Sequence, residues 1–138
     1  FTRYGATRVT MEQLFKRADI VSIHAPLNET TTQLVKEKHF RLMKPNAHFV
    51  NTARGELIDE KALLKALRQK WIAGAALDVV QNEVGDGSHL KNNPLITYAR
   101  SNQNLLIVPH IGGATYEAMQ ATEEFIADLV KRYDTKLS

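Results

Sequence analysis

The sequence predicts an α/β protein built on a parallel sheet with flanking helices. Two observations carry this. Short apolar runs at 19–25, 47–53, 73–79 and 104–110 alternate with stretches whose apolar residues recur at helical spacing. Such alternation is satisfied most simply by parallel strands joined by right-handed crossovers. In addition, three of the runs end in polar or charged groups, Ala53-Arg54, Asp78 and His110. Parallel strands bring such ends to one edge, and ligands of open α/β sheets bind outside the carboxyl ends of the strands.

Element by element, the pattern is legible from about residue 10 onward. Arg8-Val9-Thr10 could form a short strand, and Thr10 can cap a helix Met11–Arg17 with Leu14, Phe15 and Ala18 on its apolar face. Asp19–Ala25 reads as a strand ended by Pro26, which cannot continue a ladder. Polar residues Asn28 to Thr32 suit a turn, and Lys36–Met43 reads as a helix stopped by Pro45. The strand Ala47–Ala53 follows, then a helix from Asp59 to Lys70 with Leu63, Leu64, Leu67 and Trp71 on one face. Ile58 and Leu63 stand at the positions of a hydrophobic staple. Ala73–Val79 is a small, apolar strand.

Periodicity fails from Val80 to Gln103, where Gly85, Gly87, Asn92, Asn93 and Pro94 mark turns and Pro94–Arg100 is long enough for one short helix. Long connections of this kind are usually functional or mobile. Asn104–His110 is the last strand, Gly112-Gly113 turns the chain, and Thr115 caps a final helix. In that helix Met119, Thr122, Ile126, Leu129, Val130 and Tyr133 repeat at helical spacing.

Composition narrows the function classes. The 138 residues carry a formal net charge of +3 with the basic residues scattered, so nucleic acid is not an expected partner. No apolar run approaches the roughly 18 residues of a membrane span, and no signal-peptide core follows Phe1. Cysteine is absent, which removes disulfides and thiolate metal sites and fits a reducing, cytoplasmic setting. His24, His39, His48 and His89 lack metal-ligand spacing with acids and read as structural or exposed; no metal is expected. Without an initiator Met, the chain reads as the interior of something longer.

Four motifs, in order and with matching spacing, resemble the D-isomer-specific 2-hydroxyacid dehydrogenases. They are Asp19-Ile-Val-Ser-Ile-His-Ala-Pro-Leu27, Asn51-Thr-Ala-Arg-Gly55 with Ile58-Asp59, Gly74-Ala-Ala-Leu-Asp-Val79, and Pro109-His-Ile-Gly-Gly-Ala-Thr115. The resemblance covers nearly the whole chain. It implies a partial Rossmann-type sheet over 1–138, the second half of a dinucleotide-binding domain with a long loop at 80–103. In the family the glycine-rich phosphate loop and the ribose-binding acid lie upstream of Phe1, so the first βαβ strands are expected to be missing. The remaining strands, from Ile20 to Val108, are expected to form a contiguous half-sheet. Two further departures are Val84 where the family usually has Pro, and a segment 85–103 longer than in compact members.

By motif position, the resemblance makes Arg54 the clamp on a substrate carboxylate, His110 the acid/base and Glu83 its carboxylate partner. Asp78 falls near the nicotinamide amide, and Ala25, Pro26, Thr52, Ala53, Arg54, His110, Gly112 and Gly113 fall where the family contacts its cofactor. The implied activity is hydride transfer between NAD(H) and a 2-oxo or D-2-hydroxy acid, with NADP left open because the ribose-reading acid lies outside the chain. A homodimer through this domain is also implied. The chemistry suits the residue types: imidazole titrates near neutrality, and guanidinium is a planar fork for carboxylates.

Each residue alone has a plainer reading. Arg54 could be a surface ion-pairing residue, His110 a hydrogen-bonded loop histidine, Glu83 a solvated acid, Asp78 a turn cap, and Gly112-Gly113 simply a turn. Two other functions also stay open at this level. One is an NAD-sensing corepressor of the same fold; the other is a folding or dimerisation unit with no activity of its own.

Overall fold

The computed structural model describes residues 3, 5–83, 87 and 91–134. Four parallel strands form one sheet in the order β1-β2-β3-β4: β1 Ile20–Ile23, β2 His48–Asn51, β3 Gly74–Leu77 and β4 Leu105–Ile107. The helices are α1 Met11–Arg17, α2 Glu37–Phe40, α3 Glu60–Arg68, α4 Pro94–Ala99 and α5 Tyr116–Asp134, with a 3-10 turn at Gly55–Leu57. Every strand and helix expected from residue 11 onward is present; α1 has the expected bounds, while the four strands and α2, α3 and α4 are somewhat shorter than their sequence patterns. Arg8–Thr10 is the exception: it forms no strand. Thr10 instead makes a capping box, its hydroxyl accepting from Gln13 N–H and the Gln13 side chain accepting from its own N–H. Val84, Gly85 and His89 lie outside the described residues.

Local chemistry sets the other boundaries. Asp59 caps α3 by accepting the Ala62 N–H at 3.0 Å, and Asn93 caps α4 by accepting from Leu95 at 2.8 Å. Pro94 occupies the first turn of α4, where its missing N–H costs nothing.

Alternate residues of the strands, Val21 and Ile23, Phe49 and Asn51, Ala75 and Leu77, face a shared core. Phe15, Phe40, Leu57, Leu63, Leu67 and Leu95 complete it, each at most 1% exposed. Phe40 meets Phe49 edge-on with ring centroids 5.1 Å apart. Fully burying a side chain of this size contributes about 1.5–3 kcal/mol, so these contacts dominate the stability of the fold. The staple pair Ile58 and Leu63 is in the same core.

The opposite sheet face is less covered. Ile20 is 65% exposed and Leu106 60%, and Ser22 and His48 are exposed in the same rows. The apolar residues of α5 are exposed as well, among them Met119, Phe125, Ile126 and Val130.

His39 is a buried polar exception. Its Nδ1 accepts the Lys36 N–H at 2.9 Å and its ring lies 5.2 Å from that of Phe15. Burial pushes its pKa below the ordinary histidine value, with the Lys38 charge adding to the effect. The unfolded chain therefore takes up this proton before the folded one. The contribution of His39 to stability is intact above about pH 6.5 and is lost as pH falls through the lowered folded value. Thermal melts between pH 7.5 and 5 should show the wild type losing Tm faster than His39→Gln, whose amide oxygen can still accept the Lys36 N–H. Parallel curves for the two proteins would refute this.

Candidate active site

The four strands end on one edge, and the residues that follow them line a cleft of about 950 Å³. Arg54, Asp78, Glu83 and His110 all border it, with Leu27 and Pro109 among its apolar walls. The sequence-derived trio of Arg54, Glu83 and His110 is thus brought to one hollow from positions 56 residues apart at the extremes.

Arg54 leaves the strand because of Asn51. This side chain is fully buried; its amide Nδ2 donates to the Arg54 carbonyl at 2.8 Å and its Oδ1 accepts the Ala53 N–H at 3.0 Å. The two bonds fold residues 51–54 into a closed Asx-type turn. Arg54 itself is extended and exposed, and its guanidinium donates to the Ala53 carbonyl. Among the described residues no carboxylate pairs with it, so the fork is available to an anion. Asn51 is a site residue that sequence reasoning missed; the signal was an Asn ending an apolar strand two positions before a glycine-adjacent Ala-Arg.

The 3-10 turn that follows is wedged between two other segments. Gln33 and Val35 N–H groups donate to the Glu56 and Leu57 carbonyls at 2.8 and 3.0 Å, and Asp59 N–H donates to Val35 at 2.9 Å. On the other side Gly55 packs directly on the backbone of Val80 and Gln81, so closely that a Cβ would overlap it. Glycine is required here by close approach rather than by dihedral.

Glu83 and His110 form a direct pair: Nδ1 to Oε1 is 2.7 Å. The Glu83 side chain is only 18% exposed and its second oxygen accepts the Val80 N–H at 3.3 Å, while the His110 side chain is 47% exposed. A carboxylate only accepts, so the ring proton on this side belongs to Nδ1. Nε2, with no protein partner among the described residues, is then the nitrogen left to exchange a proton. His110 has φ +53°, a left-handed conformation unusual for a non-glycine residue, and its N–H donates back to Val108 at 3.0 Å.

Asp78 ends β3 buried, and its two oxygens accept the Ile111 and Gly112 N–H groups at 2.8 and 2.9 Å. It therefore locks the loop just after His110 to the neighbouring strand. Gly112 is needed for this, since a Cβ there would lie 2.7 Å from Asp78 Oδ2. Thr52 and Pro26 are exposed and Ala25 and Ala53 partly buried, all just past the ends of β1 and β2. Pro26 accepts from the Thr31 hydroxyl at 2.7 Å. Gly113 is exposed and faces open space. Among the described residues no group of acids and histidines is arranged to hold a metal, and no helix is long and apolar enough to cross a membrane.

Residues 1–112 match the profile of the family described as "D-isomer specific 2-hydroxyacid dehydrogenase, NAD binding domain". A glyoxylate reductase from Thermococcus litoralis is 42% identical over 123 residues, which is 89% of this chain and 34% of that protein. Among solved structures, a D-lactate dehydrogenase from Sporolactobacillus sp. superimposes with TM-score 0.72 at 40% identity, covering 83% of this chain and 36% of the other. D-2-hydroxyisocaproate dehydrogenase gives TM-score 0.79 at 32% identity, over 94% and 41%. The chain thus spans about a third of the length of the curated relatives it matches. Its four-stranded parallel sheet, the order of its motifs and these likenesses together make it a member of the D-isomer-specific 2-hydroxyacid dehydrogenases, corresponding to part of their NAD-binding domain.

Proposed function

We propose that this chain supplies the carboxylate clamp and the acid/base couple of an NAD-dependent D-2-hydroxyacid dehydrogenase. The single observation that carries the proposal is the 2.7 Å His110–Glu83 contact in the same cleft as an Arg54 that no carboxylate among the described residues neutralises. In the reducing direction Arg54 takes the carboxylate of a 2-oxo acid by a two-point hydrogen bond and draws electron density from the adjacent carbonyl. His110 gives the carbonyl oxygen its proton from Nε2, and Glu83 stabilises the charged ring before transfer. A nicotinamide, when bound, supplies the hydride that reaches the carbonyl carbon. Oxidation of the hydroxy acid reverses each step: His110 takes the hydroxyl proton.

The residue types fit the redox end of a dinucleotide. The crevice edge offers small or backbone-exposing residues at Ala25, Pro26, Thr52, Ala53, Gly112 and Gly113, with Asp78 beside them. No GxGxxG run occurs within the 138 residues, so the diphosphate has no glycine-rich cradle in this stretch. NAD is the cofactor we assign, in keeping with the family description, and NADP stays open. The exposed apolar side of α5 supports a homodimer, the absence of cysteine supports a cytoplasmic setting, and the scattered basic residues argue against nucleic acid.

Incubating the full-length protein with NADH and a panel of 2-oxo acids, glyoxylate and pyruvate included, tests the reading. NADH oxidation with at least one acid is the expected result. Tight NADH binding without turnover of any acid would overturn it and favour a cofactor-sensing corepressor.

A further inference from the structure

Glu83 sits on an irregular segment, Val80–Glu83, and such a segment does not by itself hold a carboxylate against a ring 27 residues away. Its anchorage comes from the stretch just after Arg54. Glu60, in the first turn of α3, accepts the Gln81 N–H at 2.7 Å with Oε1 and the Asn93 amide at 2.8 Å with Oε2. The Gln81 side chain donates to the Ile58 carbonyl at 2.7 Å, and the Asn82 N–H reaches Glu56 Oε1 at 3.3 Å. Asn82 itself turns through φ +57°, which aims the chain toward Glu83. Asn93 is committed at its other end, since its Oδ1 caps α4. Glu60 is therefore, among the described residues, the side chain that joins α3, the Glu83 segment and α4.

We propose that Glu60 is a positioning residue that holds Glu83 against His110. The proposal deepens the acid/base reading above and depends on it. Burial, with the Glu56 charge adding to it, pushes the Glu60 carboxyl above the usual carboxylate range, against the pull of its two hydrogen bonds. A residue serving only the N-terminus of α3 would gain nothing from that burial; an exposed acid favours a helix N-terminus equally well.

The two roles separate in Glu60→Asp and Glu60→Gln. Aspartate keeps the charge in the first turn but withdraws the carboxylate by one methylene, so it cannot reach Gln81 and Asn93 together. Glutamine keeps the reach, and with its one acceptor oxygen on the Gln81 N–H it still holds the Glu83 segment; it gives up the charge and the tie to the Asn93 amide, a donor that its NH2 cannot pair with. The readout is the low-field proton NMR signal of the His110 Nδ1–H in the full-length protein, assigned by its loss in Glu83→Gln. Glu60→Asp is expected to lose the signal with unchanged far-UV circular dichroism, and Glu60→Gln to retain it. In turnover, Glu60→Asp is expected to lower kcat by about 10- to 100-fold with KM little changed, as displacing a catalytic group by about 1 Å does. A full signal in Glu60→Asp would overturn the positioning role alone. A wild type with no signal that depends on Glu83 would overturn both this role and the acid/base pair.

Discussion

Replacing His110 by Gln in the full-length protein is expected to lower kcat by about 10²–10⁴-fold while changing KM for the 2-oxo acid little. The reason is a division of labour. Arg54 and His110 border one cleft, and in the proposed mechanism the guanidinium alone holds the substrate carboxylate, so affinity would stay with Arg54. Glutamine keeps a polar side chain of similar reach next to Glu83 but cannot carry and release a proton near neutrality. Steady-state kinetics with NADH decide it. A variant retaining more than about a tenth of wild-type kcat, well above the loss of at least about 10²-fold expected, would remove His110 from proton transfer.

The largest stability effect is expected at Gly55. In Gly55→Ala the new methyl group would overlap the backbone of Val80 and Gln81, and backbone cannot swing aside as a flexible side chain can. Overpacking of this kind costs about 1–3 kcal/mol and sometimes more. Relief can come only by displacing the Val80–Glu83 segment or the 3-10 turn, which is held from its other side by Gln33 and Val35. The cost therefore falls on Glu83 and reaches His110 through it. Gly55→Ala is expected to lower Tm by several degrees and to lower kcat as well. An unchanged Tm would show that the contact at Gly55 is slack.

The architecture was legible because each strand is a short apolar run bounded by turn or cap chemistry. Thr10, Asp59 and Thr115 each mark a helix start that the structure bears out. Arg8–Thr10 misled because three residues of strand-like composition carry no information about a pairing neighbour, and none pairs with them. Arg54, Asp78 and His110 could be placed on one edge since parallel strands leave no alternative. What stayed hidden was the bracing. Glu56 and Glu60 act on backbone groups far away in sequence, Asn93 meets the Glu60 side chain 33 residues away, Asn51 closes a turn through its own neighbours, and the left-handed turn at His110 has no glycine or asparagine to announce it. Asp78 was expected near a nicotinamide; its two hydrogen bonds to Ile111 and Gly112 also give it the turn-capping role that a lone strand-end acid suggests.

The strand order has a consequence for biosynthesis. Every strand lies beside its immediate predecessor, so none must wait for a partner made much later. A nascent chain leaving the ribosome can dock β2 on β1, then β3, then β4, each addition enlarging a template already formed. The imidazole comes just after β4, so the cleft that Arg54, Glu83 and His110 border forms only once all four strands have been made.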